Sequence, residues 1–257
     1  MKIRAGGISH PGKCREKNED NFCFNGKTLT AEGTARPLRF RAAADKPTFF
    51  GVFDGMGGIQ AGEKASAIAV ETAQTAMQDL SSDTDYETFL IDICRTANRL
   101  TCDEMTHVLK QRMGTTASML LFAKEQYWLC NIGDSPVYLF RDDTLQPIFC
   151  EHTEKQNYLR LHGVDAPLPK RKFRLTQHIG IFHDELEIEP YVATDRIQPK
   201  DRFLITSDGL TDMVTEEAIA ETLKKRKSPA KTVKLLMQQA LDNGGKDNIT
   251  IICIDVI

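Results

Sequence analysis

Two periods divide the chain. Short apolar runs, alternating or continuous and bounded by Gly, Asn and Asp, predict strands over residues 2–9, 38–41, 48–53, 116–122, 127–132, 137–140, 145–149, 186–192, 203–207 and 249–256. Elsewhere the spacing turns helical. From residue 60 to residue 80, Ala61, Ala65, Ile68, Ala69, Thr72, Ala76 and Leu80 share one face, with Glu63, Lys64 and Gln74 off it. Thr84 and Glu87 have capping-box spacing ahead of Phe89, Leu90, Ile93, Ala97 and Leu100, so a second helix is expected to about Met113, closed by Gly114. Two more are predicted, one over about 215–225 and one with Ser228 as N-cap, Pro229 as first residue and Val233, Leu236, Met237 and Ala240 on one face.

The segments between these elements are less regular. Residues 25–36 read as a loop, and the short strands over 116–149 read as an antiparallel meander. Residues 151–180 are polar and aperiodic, and a loop of that length inside a domain is a lid or binding segment, so they are taken as a flap. Strands, two helices, strands, two helices and a closing strand predict an α+β fold, antiparallel sheets covered by paired helices.

Composition narrows the function. A chain of 257 residues that is 41% hydrophobic can bury a full core, and a single domain over 1–257 is expected. The formal net charge of -3 supplies no global basic field for nucleic acid or an anionic membrane. The opening residues Met1 to Arg4 run into Gly6 and Gly7 without the apolar stretch of a secretory leader, and no later run is long enough to span a bilayer, so a cytoplasmic protein is expected. The seven cysteines are odd in number, scattered and never spaced Cys-x-x-Cys, which points to reduced thiols rather than a zinc site or a nucleophile.

Candidate chemistry lies where strands end. Residues 49–53 are apolar and deliver Asp54 to Gly55, Met56, Gly57 and Gly58, so a carboxylate and the next carbonyl can face one hard cation such as Mg²⁺ or Mn²⁺. Asp20, Asp134, Asp208 and Asp247 share this placement at a strand end or turn. Turn propensity accounts for one or two such acids, but five crowded carboxylates would take up protons unless cations sat among them.

Six ordered blocks carry a resemblance. They are Arg15-x-x-Asn18-Glu19-Asp20, Val52 to Gly58, Gly114-Thr115-Thr116-Ala117, Asn131 to Ser135, Thr206 to Asp212 and Gly244 to Thr250. Together they resemble the type 2C metal-dependent serine/threonine protein phosphatases, and Met56 after Asp-Gly is similar to the bacterial branch. The resemblance implies a four-layer α-β-β-α fold, an antiparallel β-sandwich flanked by pairs of α-helices, with two Mn²⁺ or Mg²⁺ ions at one edge and a third as an option. It implies that Asp54 bridges two ions, that the Gly55 carbonyl binds one, and that Asp208 and Asp247 complete the other. Glu19 and Asp20 would act at the first block, directly or through water, and Asp134 with Asp208 would hold the third ion. Two such cations can activate a bridging water for in-line attack on a phosphoryl group, and Arg15 can grip two phosphate oxygens with its planar fork.

The implied partners are phosphoserine and phosphothreonine proteins, with a bacterial Ser/Thr kinase as the opposing enzyme and a monomer as the working state. Three features depart from the family pattern. Met56 stands where many relatives have His and cannot donate a proton to the leaving group. Pro136 replaces an Arg often found after Gly-Asp-Ser, and the span from Asp20 to Asp54 is long, suggesting an extended first hairpin. No His has a claim on the missing proton; His152, His162 and His178 read as surface or packing residues. The cations Lys170, Arg171, Lys172 and Arg174 read as a solvated loop. Two other readings share these residues: a non-catalytic signalling module and a hydrolase of small phosphorylated metabolites.

Overall fold

Runs such as TFFGVF and ITIICIDV are apolar on both faces, which suits a strand only where both sides of its sheet are covered. The computed structural model describes residues 2–28, 33–34, 36–43, 47–57, 61–169 and 173–257. In chain order its strands and helices are β1 (Lys2–His10), β2 (Asn21–Phe24), β3 (Lys27–Thr28), β4 (Leu38–Ala43), β5 (Thr48–Phe53), β6 (Gly55–Gly57), α1 (Gly62–Ala76), α2 (Tyr86–Glu104), β7 (Met113–Thr115), β8 (Ala117–Ala123) and β9 (Gln126–Ile132). Then follow β10 (Val137–Arg141), β11 (Thr144–Pro147), α3 (Glu154–His162), β12 (Tyr191–Arg196), β13 (Arg202–Thr206), α4 (Asp208–Thr211), α5 (Glu216–Lys224), α6 (Pro229–Asp242) and β14 (Ile249–Val256).

Two six-stranded antiparallel sheets result, β11-β10-β13-β14-β1-β4 and β12-β9-β8-β5-β2-β3, beside a small β6-β7 pair. Phe22, Phe50, Leu120, Phe122, Phe203 and Ile252 fill the space between the sheets. The outer face of the second sheet buries Phe49, Phe53, Met119 and Cys130 against Ala69, Leu90 and Ile93 of α1 and α2. The outer face of the first buries Phe140, Leu204, Ile251 and Cys253 against Ile219, Leu223, Val233 and Leu236 of α5 and α6. The four layers expected from the resemblance are therefore present. Burying a side chain of this size contributes about 1.5–3 kcal/mol, so these three cores dominate stability.

Several local expectations need correction. The strands over 116–149 are not one meander, because Gly133 to Pro136 carries the chain from β9 in one sheet to β10 in the other. The loop over 25–36 contains β3, paired with β2. The second helix is capped by Asp85, whose side chain accepts from the Glu87 amide, while the Thr84 hydroxyl serves Ser81. It ends before Met113: a π-helical turn over Met105–Leu109 follows, and Lys110 at φ 52 breaks the run, leaving Gly114 in β7 opposite Met56. Ser228 holds the N-cap position of α6 without a side-chain cap bond.

The strand expected over 186–192 lies at Tyr191–Arg196 instead, since Pro190 has no N–H to give a ladder. Ile188 is buried against the α2 side without belonging to any strand. The flap is not wholly irregular. It contains α3, capped by Thr153 on the Gln156 amide at 3.1 Å. Gly58 and Gln60, and the flap cations Lys170, Arg171 and Lys172, lie outside the described residues. Among the described residues no helix is long and apolar enough to cross a membrane.

Candidate active site

The acids gather where β2, β5, β9, β13 and β14 begin or end on one side of the sandwich. Asp20 precedes β2, Asp54 follows β5, Asp134 follows β9, Asp208 opens α4 after β13, and Asp247 stands two residues before β14. Asp54 is held at its backbone: its amide donates to Thr116 Oγ1 at 3.0 Å, and its carbonyl accepts from Thr115 Oγ1 at 2.9 Å and from the Thr116 amide at 2.9 Å. Thr116 Oγ1 also bonds Ser135 Oγ at 2.6 Å, and Ser118 Oγ donates to the Ser135 carbonyl at 2.6 Å. This chain of hydroxyls fixes the Asp54 loop against the Asp134 turn. Gly55 is needed by contact: a Cβ there would lie 2.2 Å from the Gly62 carbonyl oxygen and 2.4 Å from that of Glu19.

Asp20 is buried and receives the Ser207 hydroxyl on Oδ2 at 2.7 Å, but its Oδ1 has no hydrogen-bond partner among the described residues. Such an orphan costs about 1–3 kcal/mol unless a ligand meets it. Burial, moderated by Ser207 and Thr250, pushes the Asp20 carboxyl up to about 6. Burial holds Asp54 well above the usual carboxylate range, helped by repulsion from Asp20, Asp208, Asp134 and Asp247. Asp208 is raised to about 8 by burial and by Asp134, Asp212, Asp20 and Asp247. Asp134 is raised to about 6, mainly by burial, with Glu151 and Asp212 adding to it. The structure thus brings Asp20, Asp54, Asp134, Asp208 and Asp247 into one another's field.

Glu19 and Arg15 form the rim. Burial raises Glu19, opposed by Arg15, and the Glu19 amide donates to Asn248 Oδ1 at 2.7 Å. The guanidinium of Arg15 is exposed and gives Nη2 to Asp247 Oδ2 at 2.7 Å, so one of its N–H groups is already spent on a carboxylate expected to meet a cation. Asn248 was missed by sequence reasoning. It ties the Pro11 and Lys17 carbonyls through Nδ2, at 2.9 and 2.8 Å, to the segment before β14. Asp212, Thr116, Ser135 and Ser207 were also missed as site residues, although each lies inside or beside a quoted block.

His152 and His178 behave as packing residues. Burial lowers both, and their ring nitrogens contact the backbone at Gly133 and Ile179. The donor set suits hard cations, being oxygen throughout, anionic in excess and with one buried acceptor unserved. Among the described residues no three acidic, His or Cys side chains close into a ready-made cage. Mg²⁺ and Mn²⁺ do not require one, since each takes one or two carboxylates and keeps water in its other positions.

Two antiparallel sheets between helix pairs, with an oxygen-lined acidic edge, define a four-layer protein built to hold divalent cations. The protein phosphatase 2C family model matches residues 38–243, and the chain belongs to that family. It is 29% identical over 252 residues to the serine/threonine phosphatase stp of Listeria innocua, covering 95% of this chain and 92% of that one. The crystal structure of the Mycobacterium tuberculosis serine/threonine phosphatase PstP/Ppp superposes with a TM-score of 0.81 at 28% identity, covering 100% of this chain and 99% of that one. A PstP catalytic domain in complex with two manganese ions gives a TM-score of 0.80 at 28% identity, with both chains covered in full, 100% each. These relatives bear out the family read from the six blocks, and the matched span contains Asp54, Gly55, Asp134 and Asp208.

Proposed function

We propose that this chain is a metal-dependent phosphatase that hydrolyses phosphoserine and phosphothreonine in proteins, and that it opposes a bacterial Ser/Thr kinase. The observation that carries this reading is the convergence of five carboxylates on one edge, one with a buried oxygen that no group among the described residues serves. A pair of Mn²⁺ or Mg²⁺ ions supplies a lowered pKa for bound water and neutralises phosphoryl oxygens during displacement.

The roles of the chain's own residues are read from the resemblance and supported by their positions. Asp54, between two clamped backbone segments, and the Gly55 carbonyl beside it would hold the cation pair. Asp208 and Asp247 would hold one ion, Glu19 and Asp20 would act on the other directly or through water, and Asp134 with Asp208 would take a third. Arg15 keeps Asp247 on Nη2 while its remaining N–H groups are open to phosphoryl oxygens. Met56 gives no proton. The two ends of the 151–180 segment meet this edge, since the His152 amide donates to the Gly133 carbonyl at 3.0 Å and Ile179 bridges Thr115, which supports its role as a flap over a single catalytic domain spanning 1–257. A monomer working in the cytoplasm completes the reading.

The test is release of phosphate from a phosphothreonine peptide and from p-nitrophenyl phosphate with and without Mn²⁺. Turnover that depends on Mn²⁺ and disappears in Asp54→Asn is expected. Equal turnover in EDTA would sink the metal assignment.

A further inference from the structure

The net charge is -3, yet among the described residues every charged side chain lining one cleft is a cation. A cavity of about 410 Å³ opens between edge strand β4 and the first turn of α6, lined by Arg4, Arg39, Phe40, Arg41, Ser228 and Lys231 among others. Among the described residues no acid lines it. Arg4 and Arg41 are Cα partners across β1 and β4, and like charges directly opposite each other destabilise a ladder. Arg39, two residues from Arg41, projects from the same face. Opposite Arg39 stands Gly6, where a Cβ would lie 2.4 Å from the Ala230 amide nitrogen, so α6 closes on the sheet and supplies the far wall.

The charges in this cleft are poorly met. Arg4 gives Nη2 to Asp255 at 2.8 Å, but that carboxylate also takes Arg202 at 2.6 Å, and Arg4 Nε is buried without a partner among the described residues. Arg39 and Arg41 are exposed, and among the described residues neither they nor Lys231 form an ion pair. Charge on an edge strand also blocks unwanted strand pairing. That role needs charge at the edge, not three guanidiniums and an ammonium converging on one cavity.

We propose that this cleft docks a phosphorylated segment of the protein substrate, apart from the acid edge. The proposal rests on the phosphatase reading and adds a second anchor to it. The planar fork of Arg takes two phosphoryl oxygens at once, and a phosphate between Arg4 and Arg41 would relieve their repulsion. From Arg4, β1 runs five residues to Ser9, about 17 Å at ~3.3 Å per residue. The Ser9 hydroxyl bonds Thr250 at 2.7 Å, beside Asp20. A substrate held at both places must therefore carry phosphates at least about five residues apart, and the second site raises its effective concentration at the first.

The double variant Arg39→Glu/Arg41→Glu tests this. With Mn²⁺, its KM for a peptide phosphorylated at two positions about ten residues apart should rise roughly tenfold at unchanged kcat. Turnover of p-nitrophenyl phosphate, and of a peptide whose two phosphates are adjacent, should match the unaltered chain. Fluorescence anisotropy of the widely spaced peptide, in an Asp54→Asn background that prevents turnover, should weaken about tenfold on adding the charge reversal. Equal KM and equal binding in the two chains overturn the proposal, as does equal binding of the unphosphorylated peptide or a parallel loss on p-nitrophenyl phosphate. Failure of the unaltered chain to turn over p-nitrophenyl phosphate would instead sink the phosphatase reading, and the anisotropy measurement reports on docking independently of it.

Discussion

The two ends of β1, β13 and β14 bury charge in opposite ways. At one end Arg202, only 2% exposed, gives Nε to Asp255 at 2.6 Å, Nη1 to the Leu223 carbonyl at 3.1 Å and Nη2 to the Lys227 carbonyl at 2.7 Å. Nearby, Arg141 forks onto Asp201 at 2.8 and 2.7 Å. At the other end Asp20 has one oxygen served by a hydroxyl and one that no group among the described residues serves, and Asp208 is repelled by Asp134 while Asp54 is repelled by both. Taking a charge out of water costs several kcal/mol unless a partner offsets it. One end meets that cost with protein groups and is architecture. The other leaves it unmet by protein groups among the described residues, and that is what marks it as a candidate site.

Breaking the acid end should have the largest consequence. Asp208→Asn or Asp54→Asn should lower Mn²⁺-dependent phosphopeptide turnover at least about a thousandfold, roughly 4 kcal/mol of lost transition-state stabilisation. The same changes should leave the thermal midpoint in EDTA unchanged or higher, because Asn takes one carboxyl out of a repelling group. A variant that kept full turnover, or melted far below the unaltered chain in EDTA, would contradict the contrast.

The paired end should respond in reverse. Arg202→Met strips Asp255 and two carbonyls of a buried donor and should cost about 3–5 kcal/mol in urea unfolding. Turnover per folded molecule should not change. Lost activity at unchanged stability would mean that Arg202 serves the chemistry.

pH separates the two ends further. Burial holds Asp20 and Asp134 up at about 6 and Asp208 at about 8 in the folded chain, whereas these groups ionise near 4 when unfolded. Between those values the folded chain binds more protons than the unfolded one, so stability falls as pH rises. The contribution is complete below about pH 4 and is lost as pH passes about 6 and then about 8. Mn²⁺ at a hundred times its Kd would restore about 2.7 kcal/mol. Calorimetry should show a Tm in EDTA that falls between pH 5 and 8 more steeply than the Tm in Mn²⁺, with the upper part of the fall absent in Asp208→Asn. Parallel curves would show that the acids are not held together as described.

The acids were legible because strands announce them: an apolar run ending in Asp-Gly says where Asp54 and Asp208 must lie, and the resemblance supplied the order. The network behind them was not legible. Ser207 reaches Asp20 across 187 positions of sequence, and Thr116 reaches Ser135 only because β8 and β9 are neighbours. A serine at a turn carries no sign of which distant strand will face it. Pairing of Arg15 with Asp247, 232 positions away, was hidden for the same reason. The displaced β12 had a local cause, since Leu186, Ile188 and Val192 alternate around a Pro190 that cannot join a ladder.

The helix inside the flap was invisible because α3 buries no residue, so no apolar period betrays it. What holds it is its start. Thr153 Oγ1 accepts from the Gln156 amide at 3.1 Å and donates to Glu151 Oε1 at 2.7 Å, and Glu151 adds to the field that raises Asp134. Thr153→Ala removes both bonds and should have the smallest effect of the set, about 1 kcal/mol confined to α3. Global unfolding should be unchanged, because an exposed helix shares no core with the sheets. Hydrogen exchange of the α3 amides should quicken about fivefold, and phosphopeptide turnover should shift less than about threefold, as Glu151 loses its tether without leaving the acid edge. A fall in the global melting temperature would mean that the flap belongs to the cooperative core, and the distinction between an edge whose acids lack protein partners and an end sealed by its own pairs would then need redrawing.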